Sequence, residues 1–113
     1  MIRGIGVDIA AVARFRAIDP AHILSPGELE LYAAFGIPER RAEFLAGRFA
    51  VKEAIIKAAP TGLSIRSITA IHVGNDVNGR PYLASGQFPE DRVWLSISHE
   101  GDYAVGLCVI ESK

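Results

Sequence analysis

The stretch Gly47-Arg48-Phe49-Ala50-Val51-Lys52-Glu53-Ala54-Ile55-Ile56-Lys57-Ala58 decides how the chain reads. It is helix-favouring throughout, and it sets an acid and a lysine one turn apart on an otherwise apolar element. Outward from it, the pattern stays helical back to Glu39 and ends at Ala59 before Pro60, with Phe44, Val51, Ile55 and Ala58 expected along one buried face. Glu53 and Lys57 are spaced i, i+4 in the favourable order, which stabilises a helix by roughly 0.2–0.5 kcal/mol with no ligand at all. A plain surface pair therefore remains one reading of them.

The other reading comes from the N-terminus, where Ile5, Val7 and Ile9 alternate with Gly4, Gly6 and Asp8. That is the period of a strand with one packed face and one face nearly stripped of side chains, so that a backbone or a ligand can approach Asp8 closely. Asp8 alone is equally suited to cap a following helix. Together, two lone carboxylates on separate elements suggest a site for Mg²⁺, which takes one or two protein carboxylates and fills its shell with water and substrate phosphates. Lys57 would then face phosphate.

Coarse structure follows from local signals. Ala10 to Ile18 reads as a short helix stopped by Asp19-Pro20, and Ser25-Pro26-Gly27-Glu28 as a capping box opening a helix to about Phe35. Ile65 to Val73 reads as a strand joined to Arg80-Pro81-Tyr82-Leu83 through a two-residue Asn78-Gly79 turn. Val93, Leu95 and Ile97 alternate with Trp94, Ser96 and Ser98, and His99-Glu100-Gly101-Asp102 is expected to turn the chain into the apolar run Tyr103 to Ile110. The expectation is an α+β fold: one domain over residues 1–113, a mostly antiparallel sheet packed against one long helix.

Composition narrows the function. Of 113 residues 50% are hydrophobic and 22% charged, enough for a core burying roughly 65% of the unfolded surface. No apolar run approaches the roughly 18 residues a membrane helix needs, and Asp8 and Arg14 interrupt any secretory signal. A net charge of −1 gives no pull toward nucleic acid. Cys108 is the lone cysteine, set in an apolar run, which fits a reducing cytoplasm. His22 and His72 have no zinc-ligand spacing with each other or with Cys108. Ser96, Ser98 and His99 lack a nucleophile elbow and an orienting acid, Gly4 and Gly6 lack the third glycine of a dinucleotide fingerprint, and no phosphate-binding P-loop occurs.

Four motifs in order carry a resemblance: Gly4-Ile5-Gly6-Val7-Asp8-Ile9, Phe44 through Ala54, Asn78-Gly79-Arg80-Pro81-Tyr82 and Ser96-Ile97-Ser98-His99. With them the chain resembles, over essentially its whole length, the small 4′-phosphopantetheinyl transferases of the holo-[acyl-carrier-protein] synthase family. The resemblance implies a 4′-phosphopantetheinyl transferase fold, trimeric assembly, and transfer of 4′-phosphopantetheine from coenzyme A to a serine hydroxyl of an acyl carrier protein or carrier domain. It implies Mg²⁺ on Asp8 and Glu53, Lys57 on the pyrophosphate, and Arg48 and His99 near the phosphates of coenzyme A. It also implies that Asn78, Gly79, Arg80 and Pro81 approach the adenosine from a neighbouring subunit of a homotrimer. The base would be Glu53 itself or a metal-bound water, and Arg14, helped by Arg16, would meet the acidic carrier surface. The chain departs from the family pattern at Pro60-Thr61-Gly62, at Glu100, and at Ala10, Ala11 and Ala13, which leaves the loop beside the pantetheine path and the choice of acceptor open. Two other readings are a non-catalytic module of the same fold that binds coenzyme A or the carrier, and a Mg²⁺-dependent pyrophosphate hydrolase.

Overall fold

The structure is a computed structural model describing residues 1–63 and 65–113, with Ile65 and Arg66 described by backbone only. Its order is strand β1 (Ile2–Ala11), a 3₁₀ turn at Val12–Arg16, another at Pro20–His22, helix α1 (Pro26–Ala34), helix α2 (Pro38–Ala58), a 3₁₀ turn at Ile65–Ala70, then β2 (Val73–Asn75), β3 (Pro81–Leu83), β4 (Asp91–Glu100) and β5 (Tyr103–Ser112). All described pairings are antiparallel, so the α+β class holds. The strands form two sheets, β1-β5-β4 and β2-β3, where a single sheet was expected, and α1 and the long α2 stand where the capping box and the helical run placed them.

Helix α2 is 21 residues, about 31 Å long, and lies across β1 and β5. The strand glycines permit this. A Cβ on Gly4 would stand 1.7 Å from Ala58 O, one on Gly6 2.0 Å from Ala54 O, and one on Gly106 2.3 Å from Val51 N. Register places Gly106 opposite Asp8, so the helix backbone rests on glycines of both strands and Asp8 shares their face. The alternation in β1 was therefore read correctly in period and wrongly in direction. Ile5, Val7 and Ile9 are 63%, 54% and 62% exposed, and the glycine face is the packed one, because only a face without Cβ atoms lets the backbone of α2 come this close.

Four local expectations are corrected. Ala10 and Ala11 continue β1, paired with Ala104 and Tyr103, and only a 3₁₀ turn follows, burying Val12 and Phe15. The strand expected over Ile65 to Val73 is a 3₁₀ turn up to Ala70, with strand from Val73 alone. Isoleucine recurs there every third residue, the period of a 3₁₀ helix, and Ile68 and Ile71 are both buried. The Asn78-Gly79 hairpin forms with a three-residue loop: Asp76 N bonds Arg80 O, Gly79 N bonds Asp76 O, and Gly79 has φ +82°. The fourth strand also runs on through His99 and Glu100, and Gly101-Asp102 makes the turn. The capping box forms as expected, Ser25 N donating to Glu28 Oε1 and Glu28 N to Ser25 Oγ.

Candidate active site

Asp8 lies on the helix-facing side of β1, and Glu53 and Lys57 lie on consecutive turns of α2. Lys57 Nζ donates to Asp8 Oδ1 at 2.9 Å and to Val7 O at 3.1 Å, so the lysine bonds across to the strand rather than back along its own helix to Glu53. Asp8 caps no helix, since Ala11 precedes the following turn without a side-chain bond. Burial chiefly, and then the charge of Asp8, raise the pKa of Glu53 above the usual carboxylate range, with Lys57 opposing. Glu53 Oε1 is buried and has no hydrogen-bond partner. A buried carboxylate oxygen without a donor, near enough to a second carboxylate to feel its charge, is suited to a hard cation, and the pair could supply the one or two protein oxygens that Mg²⁺ takes. Among the described residues no group of three or more His, Cys, Asp or Glu gathers.

The other residues expected at the site stand apart from this cluster within one chain. His99 is on β4, the opposite edge of the sheet from β1, with Nδ1 3.8 Å from Glu43 Oε2. Glu43 and Glu53 are separated by about 15 Å along α2. His99 opens on a groove of about 210 Å³ that it shares with Phe35, Arg40, Glu43 and Phe44. Arg80 and Pro81 line a different groove, of about 480 Å³, against Trp94 and its neighbours on β4; Asn78 and Gly79 are exposed in the turn itself. Neither Asp8 nor Glu53 lines the larger groove, whose one acid is Asp76. Arg14 is exposed, its guanidinium 5.1 Å from the Phe15 ring and 5.4 Å from that of Phe49, whereas Arg16 is tied to Glu39 at 2.9 Å.

Arg48 is 5% exposed and belongs to a buried network the sequence reading missed. Glu28, fully buried, receives Lys52 Nζ at 2.5 Å and lies 3.3 Å from Arg48 Nε. The Nε–H is not aimed at the carboxylate, so that contact is an ion pair and no hydrogen bond. Lys52 completes its three bonds on Ile23 O and Ile68 O, and Glu28 Oε2 takes Val73 N. Burial lowers the pKa of both Arg48 and Lys52, and Glu28 opposes this. A signal was present: Arg48 and Lys52 fall between Leu45 and Ile55 at i, i+3, i+7 and i+10, charged residues in core positions of the helix.

A family model described as the 4′-phosphopantetheinyl transferase superfamily matches residues 4–108. The chain belongs to that family. It is 42% identical to the holo-[acyl-carrier-protein] synthase of Staphylococcus carnosus, with 98% of each chain covered, and 44% identical to that of Geobacillus kaustophilus, covering 98% of this chain and 90% of the relative. Among solved structures, it superposes with TM-score 0.88 and 39% identity on a holo-(acyl-carrier-protein) synthase of Bacillus anthracis in complex with CoA (3′,5′-ADP), covering 100% of this chain and 99% of that one.

Proposed function

We infer that this chain is an enzyme that transfers 4′-phosphopantetheine from coenzyme A to a serine hydroxyl of an apo acyl carrier protein. The serine oxygen attacks the phosphorus on the pantetheine side, its bond to the adenosine-side phosphate oxygen breaks, and adenosine 3′,5′-bisphosphate leaves. The observation that carries the reading is the convergence of Asp8, Glu53 and Lys57 where β1 meets α2, in a chain with this family membership.

Asp8 and Glu53 would hold Mg²⁺, which when bound neutralises charge on the pyrophosphate oxygens. Lys57, half exposed and bonded to Asp8, is within reach of the same place and would pair with the diphosphate. Glu53 itself, or a metal-bound water, would accept the serine proton. Arg48 and Lys52 share the single carboxylate of Glu28, and the local excess of positive charge favours an anion beside Arg48. His99 would meet the same cofactor phosphates, and Arg14 the acidic carrier.

The wide separation of Arg80, Pro81 and His99 from the acids supports a site completed by neighbouring copies, with Asn78, Gly79, Arg80 and Pro81 reaching the adenosine from the next subunit. The open sheet face supports a homotrimer: Ile5, Val7, Ile9, Trp94, Tyr103 and Leu107 are 38–63% exposed on one side, more apolar surface than a monomer usually leaves to water. We read residues 1–113 as one domain. Its single cysteine, buried and unpaired, suits a reducing cytoplasm, and no helix among the described residues is long and apolar enough to cross a membrane.

Intact mass of an apo carrier incubated with coenzyme A, Mg²⁺ and this chain tests the reading. A phosphopantetheine adduct, lost on chelation, is expected. Coenzyme A binding with no adduct would point to a non-catalytic module, and coenzyme A cleavage without carrier to a hydrolase.

A further inference from the structure

The turn between β2 and β3 is exposed from Asn75 to Arg80, and its ladder is only three residues long, too short to hold a two-stranded ribbon in one shape unaided. Within the turn, Asp76 Oδ1 accepts from Asn78 N at 2.8 Å and from Arg80 N at 2.9 Å. Asn75 ties the turn to the body of the molecule. Its Oδ1 accepts from Arg48 Nη2 at 2.6 Å, and its Nδ2 donates to Gly79 O at 3.0 Å. Arg48 is itself immobilised, its base buried, Glu28 at ion-pair distance and the ring of Phe44 4.7 Å from its guanidinium carbon. A fixed guanidinium plane fixes the carboxamide bonded to it, and the other end of that carboxamide fixes the carbonyl of Gly79.

We propose that Asn75 is a positioning residue for coenzyme A recognition, coupling the Asn78–Pro81 turn to the buried Glu28–Arg48 pair so that the turn meets the cofactor in one conformation. The proposal rests on the reading above, in which that turn contacts adenosine. A turn already held in place loses less conformational freedom on binding, so removing the tether weakens coenzyme A selectively. Neither the acids nor the carrier-facing arginine touches Asn75.

The test compares wild type, Asn75→Ala and Asn75→Asp by steady-state kinetics, melting temperature and amide hydrogen exchange without cofactor. Asn75→Ala is expected to raise the KM for coenzyme A about tenfold, the scale of a lost hydrogen bond to a charged group, leaving the KM for the carrier within about twofold. Asn75→Asp keeps an acceptor for Arg48 and loses the donor to Gly79 O, so its effect should be intermediate. Exchange at residues 76–80 should quicken in Asn75→Ala at an unchanged melting temperature. Unchanged exchange overturns the coupling, whatever the enzyme does. Faster exchange with an unaltered KM for coenzyme A overturns the role in recognition, and so does a fall in melting temperature with both KM values rising together. Should wild type bind no coenzyme A by calorimetry, the functional reading fails while the exchange measurement still decides the coupling.

Discussion

Lys52 and Glu53 are neighbours in sequence, yet they serve two clusters of opposite character. Lys52 is fully buried and makes three hydrogen bonds, to Glu28 and to two backbone carbonyls that bring the segments before α1 and before β2 onto α2. Glu53, one residue on and rotated by about 100°, has an orphaned oxygen beside a second acid and a half-exposed lysine. A saturated ion pair in a helix core holds segments in place, whereas an unsaturated one at a strand–helix junction keeps capacity for a ligand. Charge type and burial alone do not separate them; completeness of bonding does.

The sharpest way to break this contrast is to disable both sides. Asp8→Asn and Glu53→Gln are each expected to lower the rate of carrier modification about 10³-fold while the protein stays folded, measured by adduct formation and circular dichroism. Lys52→Met should do the reverse. Leaving Glu28 without its ammonium partner should cost about 3–5 kcal/mol in urea unfolding, with turnover per folded molecule within about threefold of wild type. If Lys52→Met instead lost turnover at full stability, the division between the clusters would be wrong. Lys57→Ala should lower kcat/KM for coenzyme A about a hundredfold, as for a charge stabiliser lost from a transition state.

The two clusters also differ in legibility. Asp8, Glu53 and Lys57 could be singled out because two isolated acids and a lysine interrupt apolar patterns in elements that the periodicity identifies. Glu28, Lys52 and Asn75 escaped because their partners come from different segments, and nothing local announces that a capping-box glutamate also serves the core of another helix. The same limit explains β1. Alternation gives the period of a strand but not which face meets the helix, and the answer lay in glycines that α2 contacts directly. The segment after Ile65 was misread because a recurrence of three and an alternation of two look alike over few residues.

A finer test concerns pH. Burial and Asp8 raise the pKa of Glu53 in the folded state, so its contribution to stability is present below the unfolded value and lost as pH rises through the folded one. Without Mg²⁺, Glu53→Gln should therefore gain stability over wild type as pH rises from acid toward neutrality, read by thermal melts across that range. No pH dependence in the difference would contradict the burial of an ionised Glu53. The smallest expected effect is at Arg14, which is exposed and stacked on Phe15 and Phe49. Arg14→Ala should raise the KM for the carrier about fivefold at low salt, and the difference should shrink at high ionic strength.

Calorimetric titration of coenzyme A into wild type and Glu53→Gln, each with Mg²⁺ and with a chelator, addresses the shared cation itself. Wild type should bind coenzyme A at least about tenfold more tightly with Mg²⁺, and the glutamine variant should show no such gain. An equal gain in both proteins would mean that Asp8 and Glu53 do not hold the ion together.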